Sequence, residues 1–283
     1  MVKHNKSILI TGCSSGIGLC VAGGLKQRGY QVFATARKQA DVDSLKKQGF
    51  DALQLDLDDS ESIHSAVDQV LKQTEGKLDA LFNNGAYGLP GAVEDLSRDA
   101  LRAQFETNVF GWIELTNRII PVMRQQGHGR IIKNSSVLGF AAMPYRGAYN
   151  ASKFAIEGFS DTLRQELVGS NIHISLIQPG PIISQFRANA FIAFNKFIKP
   201  EDSFHKQQYD SMITRLNKEG PAAPFTLGPE AVLKKVIHAL ESPKPKIRYY
   251  VTFPTYLFAT LNRLLPYSWL EIILLKVSSG EQK

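Results

Sequence analysis

Short apolar runs recur along the chain, each followed by a polar, glycine- or asparagine-rich break and then by helical periodicity. The runs fall at residues 7–10, 31–35, 53–57, 78–83, 129–134, 172–178 and 247–251. Runs of this length, bounded by turn residues, read as buried strands. Between them, apolar residues return at the spacing of an amphipathic helix. The clearest case is 60–74, where Ile63, Val67, Val70 and Leu71 share a face and Ser60 stands ready to cap. Further helices are expected from just after Gly18 to near Gly29 and at 97–123, 148–169 and 229–240. Strand and helix alternate throughout, which predicts an α/β fold with a seven-stranded parallel sheet covered by helices on both faces. No repeat, low-complexity tract or linker divides the sequence, so residues 1–283 are expected to form a single domain.

Composition narrows the picture. An apolar fraction of 43% suits a large buried core, and the net charge of +7 comes from basic residues interleaved with acids. No DNA- or RNA-binding motif accompanies that charge, so nucleic acid is not the expected partner. A basic surface suits anionic small molecules equally well. The two cysteines, Cys13 and Cys20, form no disulfide or metal-ligand pattern, which fits a reducing compartment and no metal. The N-terminus runs directly into a strand without a secretory pattern, and no uninterrupted apolar stretch is long enough to span a membrane. A cytoplasmic protein is the expectation.

Two stretches carry chemistry. The first, Thr11-Gly12-Cys13-Ser14-Ser15-Gly16-Ile17-Gly18, lies between the first strand and the first helix. Glycines there allow a tight turn and let a diphosphate approach the N–H groups at the helix start. Gly23 and Gly24, inside that helix, suggest close packing on the sheet. The second strand ends without an acid at Thr35 or Ala36, and Arg37 and Lys38 follow. An acid there would hold the ribose of NAD, whereas an arginine accommodates the 2′-phosphate of NADP. NADP preference is expected; a solvated basic turn is the plainer reading. The second stretch runs from Ser136 through Tyr149 to Lys153. On a helix Tyr149 and Lys153 share one face. An ammonium beside a phenol lowers its pKa and suits it to proton transfer. An ordinary amphipathic helix would show the same two residues, and the glycine-rich loop is what favours the catalytic interpretation. Asn108, inside an apolar helical pattern, needs hydrogen-bond partners or else marks a kink or cap.

Together these motifs resemble the short-chain dehydrogenase/reductase family, from Ser7 to about Val251. The resemblance rests on Thr11-Gly12-x-x-x-Gly16-Ile17-Gly18, Asn83-Asn84-Gly85-Ala86, Asn108, Ser136, Tyr149-x-x-x-Lys153 and Pro179-Gly180. In detail the chain looks like bacterial NADP-dependent aldehyde reductases related to the retinol and 17β-hydroxysteroid dehydrogenases. The resemblance implies a Rossmann-type doubly wound sheet and NADP(H). Tyr149 would be the general acid, Lys153 would tune it and bind the nicotinamide ribose, Ser136 would polarise the carbonyl, and Asn108 would anchor a relay water. Gly12, Ser15, Gly16, Ile17 and Gly18 would form the cofactor loop, with Ser14 and Arg37 near the 2′-phosphate and Lys38 next to them. Asp56 would meet the adenine. Asn84 and Gly85 would line the cofactor, and Pro179, Gly180, Ile182 and Ser184 would meet the carboxamide. One departure is visible: the family's usual Asn-Asn-Ala-Gly turn has Gly85 and Ala86 in swapped order, which places a methyl near the cofactor path.

Residues 185–225 fall where the family carries a substrate lid. The aromatics Phe186, Phe191, Phe194, Phe197, Phe204 and Tyr209 either fold over an apolar substrate or pack a helix pair on the core. Met143, Pro144 and Tyr145 are expected in the same pocket. The apolar tail, 254–277, is broken by Asn262, Arg263, Pro266, Glu271 and Lys276. Two short helices there would close the pocket, pack a subunit interface or rest on a membrane surface, with Lys244, Lys246 and Arg248 suited to an anionic one. Carbonyl reduction of lipophilic aldehydes and ketones is the leading expectation. Hydroxysteroid or retinol-type alcohol oxidation is the second, and an NADP-binding sensor without turnover the third. A homodimer or homotetramer follows from the resemblance.

Overall fold

Seven short segments pair side by side, all parallel: β1 (Ser7–Ile10), β2 (Gln31–Ala36), β3 (Asp51–Gln54), β4 (Ala80–Asn83), β5 (Gly129–Asn134), β6 (Ile172–Gln178) and β7 (Arg248–Tyr250). Their spatial order is β3-β2-β1-β4-β5-β6-β7. This computed structural model describes residues 6–221 and 223–280.

Parallel strands need crossovers, and the helices provide them on both faces. One face carries α1 (Gly16–Gln27), α2 (Gln39–Lys47) and α9 (Glu230–Glu241), with Val21, Leu25, Val42, Val232 and Val236 packed on Ile8, Ile10, Val32, Phe82 and Ile177. The other carries α3 (Ser60–Gln73), α5 (Gly111–Gln126) and α6 (Gly147–Glu166), with Ile63, Val67, Trp112, Leu115 and Ile156 packed on Leu9, Phe33, Leu81, Ile131 and Leu176. Alternate strand residues thus serve opposite cores.

Several expectations shift. The third strand is Asp51–Gln54 rather than 53–57, so Asp56 lies beyond it, in a turn where its N–H donates to Ser62 Oγ at 3.0 Å. Asp59, not Ser60, caps α3 by accepting from the Glu61 N–H at 2.9 Å. The expected 97–123 helix is interrupted: α4 (Arg98–Phe105) passes through a π-helical turn, Glu106–Phe110, into α5, and the Gly111 N–H reaches back five residues to Glu106 O. A side chain at Gly111 would stand 2.1 Å from the Leu57 carbonyl oxygen, so the turn ends at a position where only glycine fits. Helix α2 has only Val42 and Leu45 as buried residues and escaped the periodicity. Gly24 makes room for Leu233 of α9 rather than for the sheet, while nothing lies within 4 Å of where a Gly23 side chain would point.

After β6 the lid forms α7 (Phe186–Phe197) and α8 (Lys206–Asn217), and the tail forms α10 (Phe253–Leu264) and α11 (Tyr267–Gly280).

Candidate active site

The carboxyl ends of β1, β4, β5 and β6 open into one cleft of about 1730 Å³. Its position follows from topology, because the order reverses between β1 and β4 and leaves a crevice there. At one end, Gly12 and Gly16 take positive φ of 71° and 55°, the region that favours glycine. A side chain on Gly18 would meet the Gly12 carbonyl oxygen at 2.1 Å. The N-cap residue of α1, Ser15, makes no side-chain cap bond, and no acid sits in the first turn. The helix start therefore presents uncapped N–H groups and its positive dipole end to the cleft. These features fit a diphosphate.

Asn84, just past β4, braces this loop. Its amide donates to Thr11 O at 2.9 Å and Gly12 O at 3.2 Å, and its own Oδ1 accepts from Asn134 Nδ2 at 3.0 Å. The Asn134 carbonyl in turn accepts from Lys153 Nζ at 2.8 Å. A continuous hydrogen-bonded line thus joins the glycine loop to the lysine. Asn134 Oδ1, on the cleft wall, is buried without a partner among the described residues, which leaves an acceptor for a ligand.

Ser136, Tyr149 and Lys153 converge at the middle of the cleft. Ser136 accepts from the Leu138 N–H at 3.1 Å, and its hydroxyl faces the same stretch of cleft as the Tyr149 phenol. Lys153 Nζ lies 4.4 Å from the Trp112 ring centroid and 5.6 Å from that of Tyr149. The Phe186 ring stands edge-on to Tyr149 at 5.2 Å between centroids. Across from it lies Gly88, where a side chain would meet Phe186 at 2.8 Å.

Electrostatics here run against the simple expectation that Lys153 lowers the Tyr149 pKa. Burial is the largest influence on both groups. It pushes the phenol up to about 12, partly offset by the nearby Ser136 hydroxyl. It pushes the Lys153 ammonium down to about 7, partly offset by Glu157. Glu157 sits one turn beyond Lys153, accepts from Gln178 Nε2 at 2.8 Å and pairs with Arg248 at 3.2 Å. A group that gives up its proton near neutrality thus stands beside one that holds its proton tightly.

Asn108 is fully buried in the π-helical turn and is held on three sides. Its Oδ1 accepts from the Tyr87 N–H at 3.1 Å, and its Nδ2 donates to Tyr87 O at 2.9 Å and to Ser152 Oγ at 3.1 Å. Ser152 Oγ in turn donates to the Tyr149 carbonyl at 2.8 Å. This asparagine therefore fixes the start of α6 from behind the cleft wall.

The family model for short chain dehydrogenases matches residues 6–193. The chain belongs to the short-chain dehydrogenase family. Members are oxidoreductases that bind nicotinamide cofactors. An uncharacterized oxidoreductase of Escherichia coli, YbbO, is 45% identical over 92% of this chain and 91% of its own length. Human 17-beta-hydroxysteroid dehydrogenase type 1 is 34% identical over 87% of the chain and 77% of its own. Human retinol dehydrogenase 8 is 32% identical over 88% and 82%. A short-chain dehydrogenase from Streptomyces avermitilis superimposes with a TM-score of 0.76 at 25% identity, covering 96% and 98% of the two chains.

Within this short-chain dehydrogenase, the cleft wall contains Gly12, Ser14, Ser15, Gly16, Ile17, Asn84, Gly85, Ser136, Tyr149, Lys153, Pro179, Gly180, Ile182 and Ser184. Five expected site residues stand off that wall: Gly18, Arg37, Lys38, Asp56 and Asn108. Gly18 is buried inside α1, and Arg37 and Lys38 are exposed past the end of β2. The Gly85-Ala86 order also finds a reason. A side chain at Gly12 would come within 2.6 Å of the Gly85 Cα, so the two glycines sit back to back. Ala86 is half-buried against the core, takes no positive φ and also lines the cleft, so its methyl stands on the cleft wall as the swapped order predicts. Three neighbours of Lys153 escaped sequence reasoning: Trp112, Asn134 and Glu157. Only Glu157 had a readable signal, its spacing of four residues from Lys153.

Met143, Pro144, Tyr145, Phe186 and Phe191 line the cleft as expected. Phe194 and Tyr209 instead form the lid's own core, and Phe204 is 92% exposed.

Proposed function

We propose that the protein reduces lipophilic aldehydes and ketones with NADPH. The observation that carries this is the convergence of Ser136, Tyr149 and Lys153 in a cleft whose walls, Met143, Phe186, Phe191, Leu257 and Phe258, are apolar. The reduced nicotinamide, when bound, supplies the hydride. As negative charge builds on the carbonyl oxygen, the Ser136 and Tyr149 hydroxyls donate hydrogen bonds to it, and Tyr149 gives it a proton. Lys153, poised near 7, returns a proton to the phenolate. Phe186 excludes water from one side of the phenol. The preference for NADPH rests on Arg37 and Lys38, exposed beyond a β2 end that lacks a carboxylate.

A second reading, alcohol oxidation on steroid- or retinol-like substrates, draws support from the named relatives and uses the same residues in reverse. A sensor without turnover would have no need of Ser136, Tyr149 and Lys153 together.

The test is NADPH oxidation, followed by absorbance, against aldehydes, retinal and ketosteroids. Tyr149→Phe is expected to lower turnover by at least about 100-fold while NADPH binding persists. Arg37→Glu is expected to lower kcat/KM for NADPH more than for NADH. Full activity in Tyr149→Phe would overturn the proton donor, and equal use of NADH by the unmodified protein would overturn the cofactor preference.

A further inference from the structure

Both tail helices are apolar on two sides, and the chain covers only one. In α10, Thr255, Phe258 and Ala259 face inward, while Phe253, Tyr256, Leu257, Thr260 and Leu264 face solvent. Those outward positions follow the i, i+3, i+4, i+7, i+11 spacing of an amphipathic stripe. In α11, Leu270 and Leu274 are buried, while Trp269, Ile272 and Leu275 are exposed. Leu264 is 73% and Trp269 63% exposed. Among the described residues, no helix is long and apolar enough to cross a membrane. The surface therefore lies on something rather than through it.

Its place and charge say what. Phe253, Leu257 and Val277 also line the cleft, and across the mouth Ile183, Ile192 and Phe225 are both exposed and on the cleft wall. The Phe225 and Phe253 rings meet at 4.9 Å. The apolar surface is thus continuous with the rim of the entrance. Exposed cations stand within the tail, at Arg263 and Lys276, against the single acid Glu271. Lys235 reaches the Tyr256 hydroxyl at 3.5 Å from the side. Lys244, Lys246 and Arg248 take no part: they precede or open β7, at the opposite strand end, and Arg248 is committed to Glu157 and Asp161. The chain as a whole carries +7. A second copy of this chain would bring the same positive charge to the same face. An anionic bilayer brings the opposite one, and tryptophan, tyrosine and cationic side chains around an apolar stripe are the composition of an interfacial helix.

We infer that α10 and α11 rest on an anionic lipid surface, with the cleft mouth turned toward the bilayer. Lipophilic carbonyl compounds dissolved in the membrane would then enter without crossing water. Surface binding stands on exposure and charge alone; only the route of entry rests on the proposed substrate class.

The experiment sediments the full chain with phosphatidylcholine vesicles and with vesicles that also contain phosphatidylglycerol. It also follows the emission of Trp269, the exposed one of the two tryptophans. The protein is expected to pellet with the phosphatidylglycerol vesicles, to be released by salt, and to shift its emission to the blue. The double variant Leu264→Glu/Trp269→Glu, at positions off the cleft wall, is expected to lose at least about tenfold in sedimented fraction. Its circular dichroism and its turnover of a water-soluble aldehyde should be unchanged. The inference falls if the unmodified protein stays in the supernatant, if the variant pellets equally, or if the double variant breaks an oligomer that itself ignores vesicles. Vesicle binding without turnover of any carbonyl would sink the proposed activity and leave the surface assignment standing.

Discussion

Two lysine ammonium groups are buried within one sheet-and-helix layer, and they differ in what surrounds them. Lys153 has the Asn134 carbonyl and the Trp112 ring. Lys133, on β5, is fully buried, and its Nζ has no hydrogen-bond partner among the described residues. Burial pushes it down to about 8. The folded chain therefore holds fewer protons than the unfolded one between about pH 8 and the ordinary lysine value. Stability gains with rising pH across that window, and below it the buried ammonium costs on the order of 3 kcal/mol. Lys153 acts in the same direction from about pH 7. Tyr149, pushed up to about 12, acts oppositely above the ordinary tyrosine value. Lys133→Met should raise the melting temperature at pH 7, with a smaller gain at pH 9.5; equal gains at both would rule out the ammonium as the cause. The sequence showed residues 129–134 as a strand, but not that Lys133 faces a closed core. Tyr149, Lys153 and Ser136 were legible because helix spacing and one turn bring them together locally. Trp112 and Asn134 were not, because they reach Lys153 from α5 and β5 through tertiary packing.

At the level of elements, the lid is latched to the turn that precedes α4. Asp95 accepts from Ser203 Oγ at 2.6 Å and from the Tyr209 hydroxyl, which itself accepts from the Ala92 N–H at 2.9 Å. Glu94 pairs with His205, whose ring also contacts Tyr145 ahead of α6. Arg187 ties α7 to the end of α8 through the carbonyls of Arg215 at 3.1 Å and Lys218 at 2.7 Å. Asp95→Ala leaves two donors without their acceptor, at a cost of about 1–3 kcal/mol. The expected outcome is a lower melting temperature and a raised KM for bulky apolar carbonyls, with kcat for a small aldehyde unchanged; equal effects on both substrates would place the latch outside substrate recognition. Five of the six lid aromatics contribute to packing or to the cleft, which the sequence suggested without telling the two uses apart. The π-helical turn was illegible for a physical reason: apolar residues continue on both sides of it. At its end the Leu57 carbonyl packs on Gly111, a contact between segments far apart in sequence.

For the whole molecule, Phe110 at the end of the π-helical turn and Phe154 and Phe159 on α6 are about half exposed. If two chains pair through these residues, Phe154→Glu/Phe159→Glu should shift sedimentation toward a monomer without unfolding it. An unchanged sedimentation coefficient would place the interface elsewhere. Strand alternation made the parallel sheet legible from sequence. The position of β1 inside it, third in a row of seven, has a further consequence, in time rather than in space. Ile8 pairs with Val32 on one side and with Ala80 on the other, partners 24 and 72 residues further along (32 − 8 and 80 − 8). A ribosome that has delivered the first three strands has built a ribbon whose bare β1 edge is to lie inside the finished sheet. The nascent chain must keep that edge from other chains until β4 emerges, so its yield depends on the pace of translation as well as on the stability of the finished fold.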